Sequence, residues 1–296
     1  MNSPASIRAR LLNVSKQSGE DYQAILTRYA IERFLYRLGA SEQRESFILK
    51  GAMLFVAWQG NLHRPTKDLD LLGFGSSSVE DVARHIREIA AMPGDDGIAY
   101  DADSVVTEVI KEDAEYEGVR AKLVATLEQA KIRMQIDVGF GDAVQPEPKT
   151  GEFPTILEQI SAPLLRMYPP EAVIAEKLHA MVVLDIRNSR MKDFYDLWYL
   201  SRTQSFDLLL LRESLEATFG RRATPLPKEI PFALTEGFLL DETKTLQWRG
   251  FLRRLQLEAH APDLVAVGRS IREFVAPVLT ETRKNRTWHG DRGWDA

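Results

Sequence analysis

Two aspartates, Asp68 and Asp70, flank one leucine in the run Asp68-Leu69-Asp70-Leu71-Leu72, and a third, Asp137, lies in Gln135-Ile136-Asp137-Val138. Side chains on a strand alternate with period two, so Asp68 and Asp70 share a face. Two like charges that close are unfavourable unless a cation lies between them or one takes up a proton. A hard divalent metal on oxygen ligands resolves the conflict: Mg2+, with Mn2+ as a substitute. Three acids from two strands can hold two such ions, one at the attacking oxygen and one at the leaving group of a phosphoryl or nucleotidyl transfer. That chemistry asks the protein for positioning and charge neutralisation rather than for covalent steps.

Cations and a turn that suit phosphates accompany these acids. Phe47-Ile48-Leu49 reads as a strand that turns at Lys50-Gly51 into an apolar helix, Ala52 to Trp58. A glycine there lets backbone approach a phosphate, and a helix N-terminus favours an anion. Ala52 has no hydroxyl and offers only its backbone N–H. Farther along, Val173, Ile174, Ala180 and Met181 place Lys177 on the inward face of a helix. An unpaired ammonium is costly there, so a triphosphate or a carboxylate should meet it. Asp193 and Asp196 are three apart and share a side of their helix. They can touch a nucleotide's sugar or base, or orient Lys177 and Arg64. Plainer readings compete with each of these. Asp137 can face solvent, Lys177 can snorkel, Arg64 can be an ordinary loop arginine, and Asp193 or Asp196 can pair with Arg187, Arg190 or Lys192. The five histidines show no metal-ligand spacing.

The elements that must position these residues follow from periodicity. Residues 20–38 read as an amphipathic helix that Gly39 ends, and 79–92 as another capped by Ser77 or Ser78. Three alternating stretches, 104–110, 119–127 and 131–140, suggest an antiparallel meander. In the last, Ile132, Met134, Ile136, Val138 and Phe140 face one way, and Arg133, Gln135 and Asp137 the other. Pro146, Pro148, Gly151 and Pro154 mark a loosening. Beyond it the pattern is helical over 170–186, 191–202, 207–219, 242–257 and 264–282. The expected fold is α/β (α+β): an N-terminal helical segment (1–40), a core (41–150), a mostly helical C-terminal domain (151–282) and a polar tail (283–296). A nucleotide is expected in the cleft between core and helical domain. Phe194, Tyr195, Trp198 and Tyr199 read as core rather than as a base-stacking platform.

Composition narrows the classes. At 296 residues, 44% hydrophobic and 27% charged, the chain reads as a soluble globular protein. It has no cysteine, which excludes disulfides, thiolate metal sites and cysteine nucleophiles. No signal peptide and no membrane-length apolar run is evident, so a cytoplasmic protein is expected. The net charge of −5 is uneven: residues 41–150 carry 12 Lys and Arg against 20 Asp and Glu, and residues 1–40 carry 6 against 3. The basic clusters Arg221-Arg222, Arg249/Arg253/Arg254 and Arg283-Lys284…Arg286 make the helical half the better candidate for an RNA backbone.

The stretch Phe47-Ile48-Leu49-Lys50-Gly51-Ala52…Arg64-Pro65-Thr66-Lys67-Asp68-Leu69-Asp70 resembles the first motif of the AbiEii/AbiGii-type nucleotidyltransferase toxins, which belong to the DNA polymerase β-like nucleotidyltransferase superfamily. Glu176-Lys177-Leu178 and Arg190-Met191-Lys192-Asp193-Phe194-Tyr195-Asp196-Leu197 are similar to that family's downstream lysine and its Arg/Lys-Asp-x-x-Asp motif. The likeness runs from about residue 45 to about residue 200. One departure is Ala52, where the family often has a second Gly or a Ser. The resemblance implies the toxin half of a bacterial toxin–antitoxin or abortive-infection pair, which transfers NMP from an NTP and releases pyrophosphate. The partners it implies are an NTP, an RNA acceptor such as a tRNA 3′ end whose modification blocks translation, and a cognate antitoxin. Asp68, Asp70 and Asp137 then hold the metal, and Lys50, Gly51, Ala52, Arg64 and Lys177 receive the triphosphate. Asp193 and Asp196 contact the nucleotide, and Asp137 helps deprotonate the acceptor. Alternatives are nucleotidylation of a protein hydroxyl, a non-catalytic nucleotide-binding module, and a glycosyltransferase that uses Asp-x-Asp on a nucleotide sugar.

Overall fold

The computed structural model describes residues 3–60, 63–113, 116–281, 285–290 and 292–295, with the backbone alone at 111–113, 116 and 117. Arg283 and Lys284, part of the last basic cluster, lie outside the described residues. The chain divides into two compact units. One comprises Met1–Asp142 and Pro148–Tyr168, the other Ala143–Glu147 and Pro169–Ala296.

The first unit is built on helices α1 (Pro4–Ser18) and α2 (Tyr22–Ala40), then β1 (Phe47–Lys50), the short α3 (Leu54–Gln59), β2 (Asp68–Gly73) and α4 (Val79–Ala90). The long strands β3 (Ile98–Asp113), β4 (Tyr116–Leu127) and β5 (Ala130–Phe140) follow, then β6 (Lys149–Glu152) and β7 (Leu164–Met167). The seven strands form one mixed sheet in the order β3-β4-β5-β2-β1-β7-β6. Pairs β2/β5 and β1/β7 are parallel and the rest antiparallel.

Alternation decides which face of this sheet is dry. Val119, Ala121, Leu123, Ala125 and Leu127 of β4 and Ile132, Met134, Ile136 and Val138 of β5 are buried. Helices α2 and α4 cover the sheet; α4 contributes Val82, Ile86 and Ile89, and α2 Ile25, Tyr29, Phe34 and Leu35. Caps fix where these helices start: Asp21 accepts from the Ala24 N–H and Ser78 from the Asp81 N–H. Arg37 of α2, fully buried, forms a bidentate pair with Asp96 at 2.7 and 3.1 Å. The intervening residues of β4 and β5, among them Arg120, Lys122, Gln135 and Asp137, point to the opposite face.

The second unit comprises α5 (Pro170–Leu184), α6 (Met191–Thr203), β8 (Ser205–Asp207), α7 (Leu208–Arg221), α8 (Glu236–Leu239), α9 (Glu242–Leu255), α10 (Leu264–Thr280), β9 (Thr287–His289) and β10 (Gly293–Trp294). The mixed α/β class and the helical second part agree with the sequence. Two stretches do not. Residues 148–168, placed by sequence mostly in the helical domain, return to the sheet as β6 and β7. The tail, read as polar, forms β9 and β10 beside β8, with Trp288 buried against Phe274 at a ring-centre distance of 5.0 Å. Phe194 and Tyr195 are core, and Phe194 stacks on Phe238. No helix among the described residues is long and apolar enough to cross a membrane.

Candidate active site

The register of four strands assembles one row of charge. Lys50 of β1 pairs with Asp70 of β2, Asp70 with Asp137 of β5, and Asp137 with Arg120 of β4. Directly paired residues on neighbouring strands project from the same face. The row therefore reads cation, anion, anion, cation across strands about 4.8 Å apart. Asp68, two residues before Asp70, lies on the same face opposite Gln135, which is itself opposite Lys122. The three expected carboxylates are thus brought together by the sheet alone. Asp68 and Asp70 are half-buried and Asp137 is buried.

Partners distinguish the three. Arg120 chelates Asp137, with Nε donating to Oδ1 at 2.8 Å and Nη2 to Oδ2 at 2.7 Å. Gln135 adds a hydrogen bond to Oδ2 at 3.3 Å. Donation from Arg120 to the Asp137 carboxylate, opposed by mild desolvation, raises the Arg120 pKa above its ordinary value. Lys50 is buried and its Nζ pairs with Asp142 at 3.0 Å. Sequence reasoning missed Arg120 and Asp142. Arg120 was visible only as one polar position in an alternating strand, and its meaning comes from its register partner.

Gly51 is glycine for a local reason. Its φ is +74°, and a Cβ there would fall 1.9 Å from Asp70 Oδ2. The turn makes room for the Asp70 carboxylate itself, where the sequence suggested room for a phosphate. The element that follows, a single 3₁₀ turn (Gly51–Met53) and the short α3, is brief, and Ala52 is buried within it. Arg64 is half-buried in the loop ahead of β2. His63 stacks on Phe55 with ring centres 3.5 Å apart.

The oxygen donors Asp68 and Asp70, held on one face and backed by a glycine cradle, fit a hard divalent ion. Asp137 differs: both its oxygens are engaged by a guanidinium. Among the described residues no three His, Asp or Glu side chains form a group able to hold a metal. A third-ligand role for Asp137 thus meets competition from Arg120.

The helical unit holds a second cluster. Lys177 of α5 lies 2.8 Å from Asp193 Oδ1 and 2.7 Å from Asp196 Oδ2, both on α6. Arg190 adds a contact to Asp193 Oδ2 at 2.6 Å. Both carboxylates are fully buried and 14% of the Lys177 side chain is exposed. Burial opposes ionisation of Asp193 most strongly, yet Lys177, Arg190 and Lys192 together hold its carboxyl below the ordinary carboxylate range. The anion expected to meet Lys177 is this pair of aspartates, and the plainer pairing of Asp193 with Arg190 coexists with it.

Comparison with known proteins adds three findings. The sequence model of the family "Nucleotidyl transferase AbiEii toxin, Type IV TA system" matches residues 33–275. A candidate nucleotidyltransferase from H. pylori has a similar structure, with a TM-score of 0.49 and 15% identity over 88% of this chain and 94% of that one. JHP933 from Helicobacter pylori is similar at a TM-score of 0.48 and 14% identity, over 88% of this chain and 91% of that one. No curated protein matches the chain.

Proposed function

The chain belongs to the AbiEii nucleotidyltransferase toxin family, and from that premise we propose that it transfers a nucleoside monophosphate from an NTP to an RNA acceptor, a tRNA 3′ end. Membership implies a nucleotide substrate and a cognate antitoxin. In the proposed reaction an acceptor hydroxyl oxygen forms a bond to the α-phosphorus, the bond from that phosphorus to the bridging oxygen breaks, and pyrophosphate leaves. The hydroxyl proton passes to a base on the protein side or to water. A 3′ end extended in this way would no longer accept its amino acid, and translation would stop.

The observation that supports this reading best is the register row Lys50–Asp70–Asp137–Arg120 with Asp68 beside it. Asp68 and Asp70 are assigned as the ligands of Mg2+, or of Mn2+ in its place. Bound there, the ion would supply charge neutralisation at the reacting phosphate. Asp137 is assigned to the acceptor, with Arg120 fixing its orientation. Lys50 already faces Asp142, so its contribution is to anchor the end of β1 next to Gly51, whose backbone remains the proposed phosphate contact together with that of Ala52. Arg64 is assigned to the triphosphate on the sheet unit, and within the helical unit Asp193 and Asp196 hold the Lys177 ammonium in one orientation.

Purified protein incubated with each labelled NTP, total tRNA and Mg2+ or Mn2+ tests the proposal. Label in the tRNA band is expected. Label on a protein band instead would move the acceptor to a Ser, Thr or Tyr hydroxyl, the antitoxin's included. Absence of label in any band contradicts the reading.

A further inference from the structure

The helical unit carries a cationic pocket that the assignments above leave unused. Its cavity measures about 450 Å3 and lies between the start of α6 and one face of α9. Arg190, Met191 and Lys192 line one side; Gly250, Phe251 and Arg254 line the other. Arg190 is committed to Asp193 at 2.6 Å. Lys192 and Arg254 are exposed, and neither has a hydrogen-bond or ion-pair partner among the described residues. Two exposed cations facing one cavity repel each other, and an anion between them removes that cost.

Gly250 is a second, independent sign. It sits in the interior of α9, and a Cβ added there would meet nothing within 4 Å. Glycine is the poorest ordinary helix former short of proline. Neither packing nor backbone conformation requires it at this position. What its missing side chain does is leave the cavity wall open, one turn before Arg254 on the same helix face.

We propose that this pocket binds a backbone phosphate of the RNA acceptor, with Lys192 and Arg254 as the phosphate contacts and Gly250 as the opening that admits it. The inference rests on the RNA-acceptor reading above and gives that acceptor a place to bind. A strand suits the surface better than a free nucleotide does. Cations continue beyond the cavity, where Arg249 and Arg253 stand exposed one turn apart on the neighbouring face of α9, roughly 6 Å along its axis. A mononucleotide would use the pocket alone, whereas successive phosphates of a chain can use both. The apolar wall of Met191 and Phe251 gives a sugar or base edge a dry surface.

The full-length protein, Arg254→Gln and Gly250→Leu test this, with binding of a fluorescent single-stranded RNA followed by anisotropy across a salt series. Arg254→Gln is expected to weaken binding several-fold and to lower the log–log salt slope by about one, as loss of a single phosphate contact does. Gly250→Leu is expected to keep or raise the melting temperature and still to weaken RNA binding at least several-fold. NTP affinity should be unchanged in both. The proposal is overturned if the wild-type protein does not bind the RNA, if both variants bind it as the wild type does, or if NTP affinity falls in place of RNA affinity. Transfer of label to tRNA, scored separately, tells the two readings apart. A wild type that binds RNA through the pocket but labels none of it refutes the proposed reaction and leaves the pocket. A wild type that labels tRNA, with both variants binding RNA normally, refutes the pocket and leaves the reaction.

Discussion

Aspartates in pairs stand at the centre of both units, yet they are treated in opposite ways. In the helical unit Asp193 and Asp196 are fully buried, with Lys177 paired to both and Arg190 to Asp193. On the sheet Asp68 and Asp70 are half-buried, side by side, with Asp137 adjacent and its charge already answered by Arg120. A closed cluster contributes mainly orientation and loses stability when broken. A half-buried row of carboxylates flanked by Lys50 and Arg120 stays accessible to a cation. The difference separates what holds the molecule from what is available to a substrate and its metal.

The largest effect should come from breaking the closed cluster. Asp193→Ala takes the buried carboxylate from Arg190 and one of the two carboxylates from Lys177, leaving Asp196 on Lys177, at a cost of about 3 kcal/mol. The melting temperature should fall by roughly 10 °C. Asp68→Asn, at a half-buried position, should shift melting by only a few degrees. Equal melting of Asp193→Ala and wild type would erase the contrast.

Gly51→Ala comes next, because it strikes the sheet where glycine is required. A left-handed alanine costs about 1–2 kcal/mol, and its Cβ would also displace the Asp70 carboxylate. Transfer activity should fall well over tenfold with a modest loss of stability. A fully active variant would show that the Asp70 position is not critical.

Arg120→Gln sharpens the account of the acidic face. The pair it removes is partly exposed, so stability should change by about 1 kcal/mol or less. Mn2+ affinity, measured by calorimetry, should rise several-fold if Arg120 competes with a metal for Asp137. Unchanged affinity would mean that Asp137 takes no part in binding the ion.

The smallest effect concerns protons. Glu32 of α2 is buried like Asp193 and pairs with Arg33 at 2.9 Å, with the charge of Arg28 acting more weakly. Burial outweighs that pairing and pushes its pKa up to about 7. A carboxyl raised in the folded state contributes stability that is fully present below its unfolded value near 4.5 and is lost as pH rises through about 7. Wild-type melting temperature should therefore fall between about pH 5 and about pH 8 relative to Glu32→Gln. Parallel melting curves would place Glu32 in a better-compensated site. Asp193, surrounded by three cations, shifts the other way.

Much of this was legible in the sequence because long periods are hard to disguise. Strands of 11 to 16 residues, β3, β4 and β5, show their alternation openly, and alternation on β2 put Asp68 and Asp70 on one face, while Asp137 joins them only through the β2/β5 register. The inward position of Lys177 followed from its helical neighbours. Elements of two to four residues carry no period, so β6, β7, β9 and β10 were invisible, and the domain boundary was drawn too early. Trp288 and Trp294 were the available signal that the tail packs, but polar neighbours masked it. Arg120 and Asp142 could not be found from spacing, since their roles depend on which residue each faces across the sheet or beyond its end.

The most direct test of the acidic face is Asp70→Asn, assayed for transfer of label from NTP to tRNA alongside its melting curve. The account predicts that transfer falls by at least about a thousandfold while the melting temperature changes by only a few degrees, because a metal ligand is lost from a half-buried position. Near-wild-type transfer by a folded Asp70→Asn protein would contradict it.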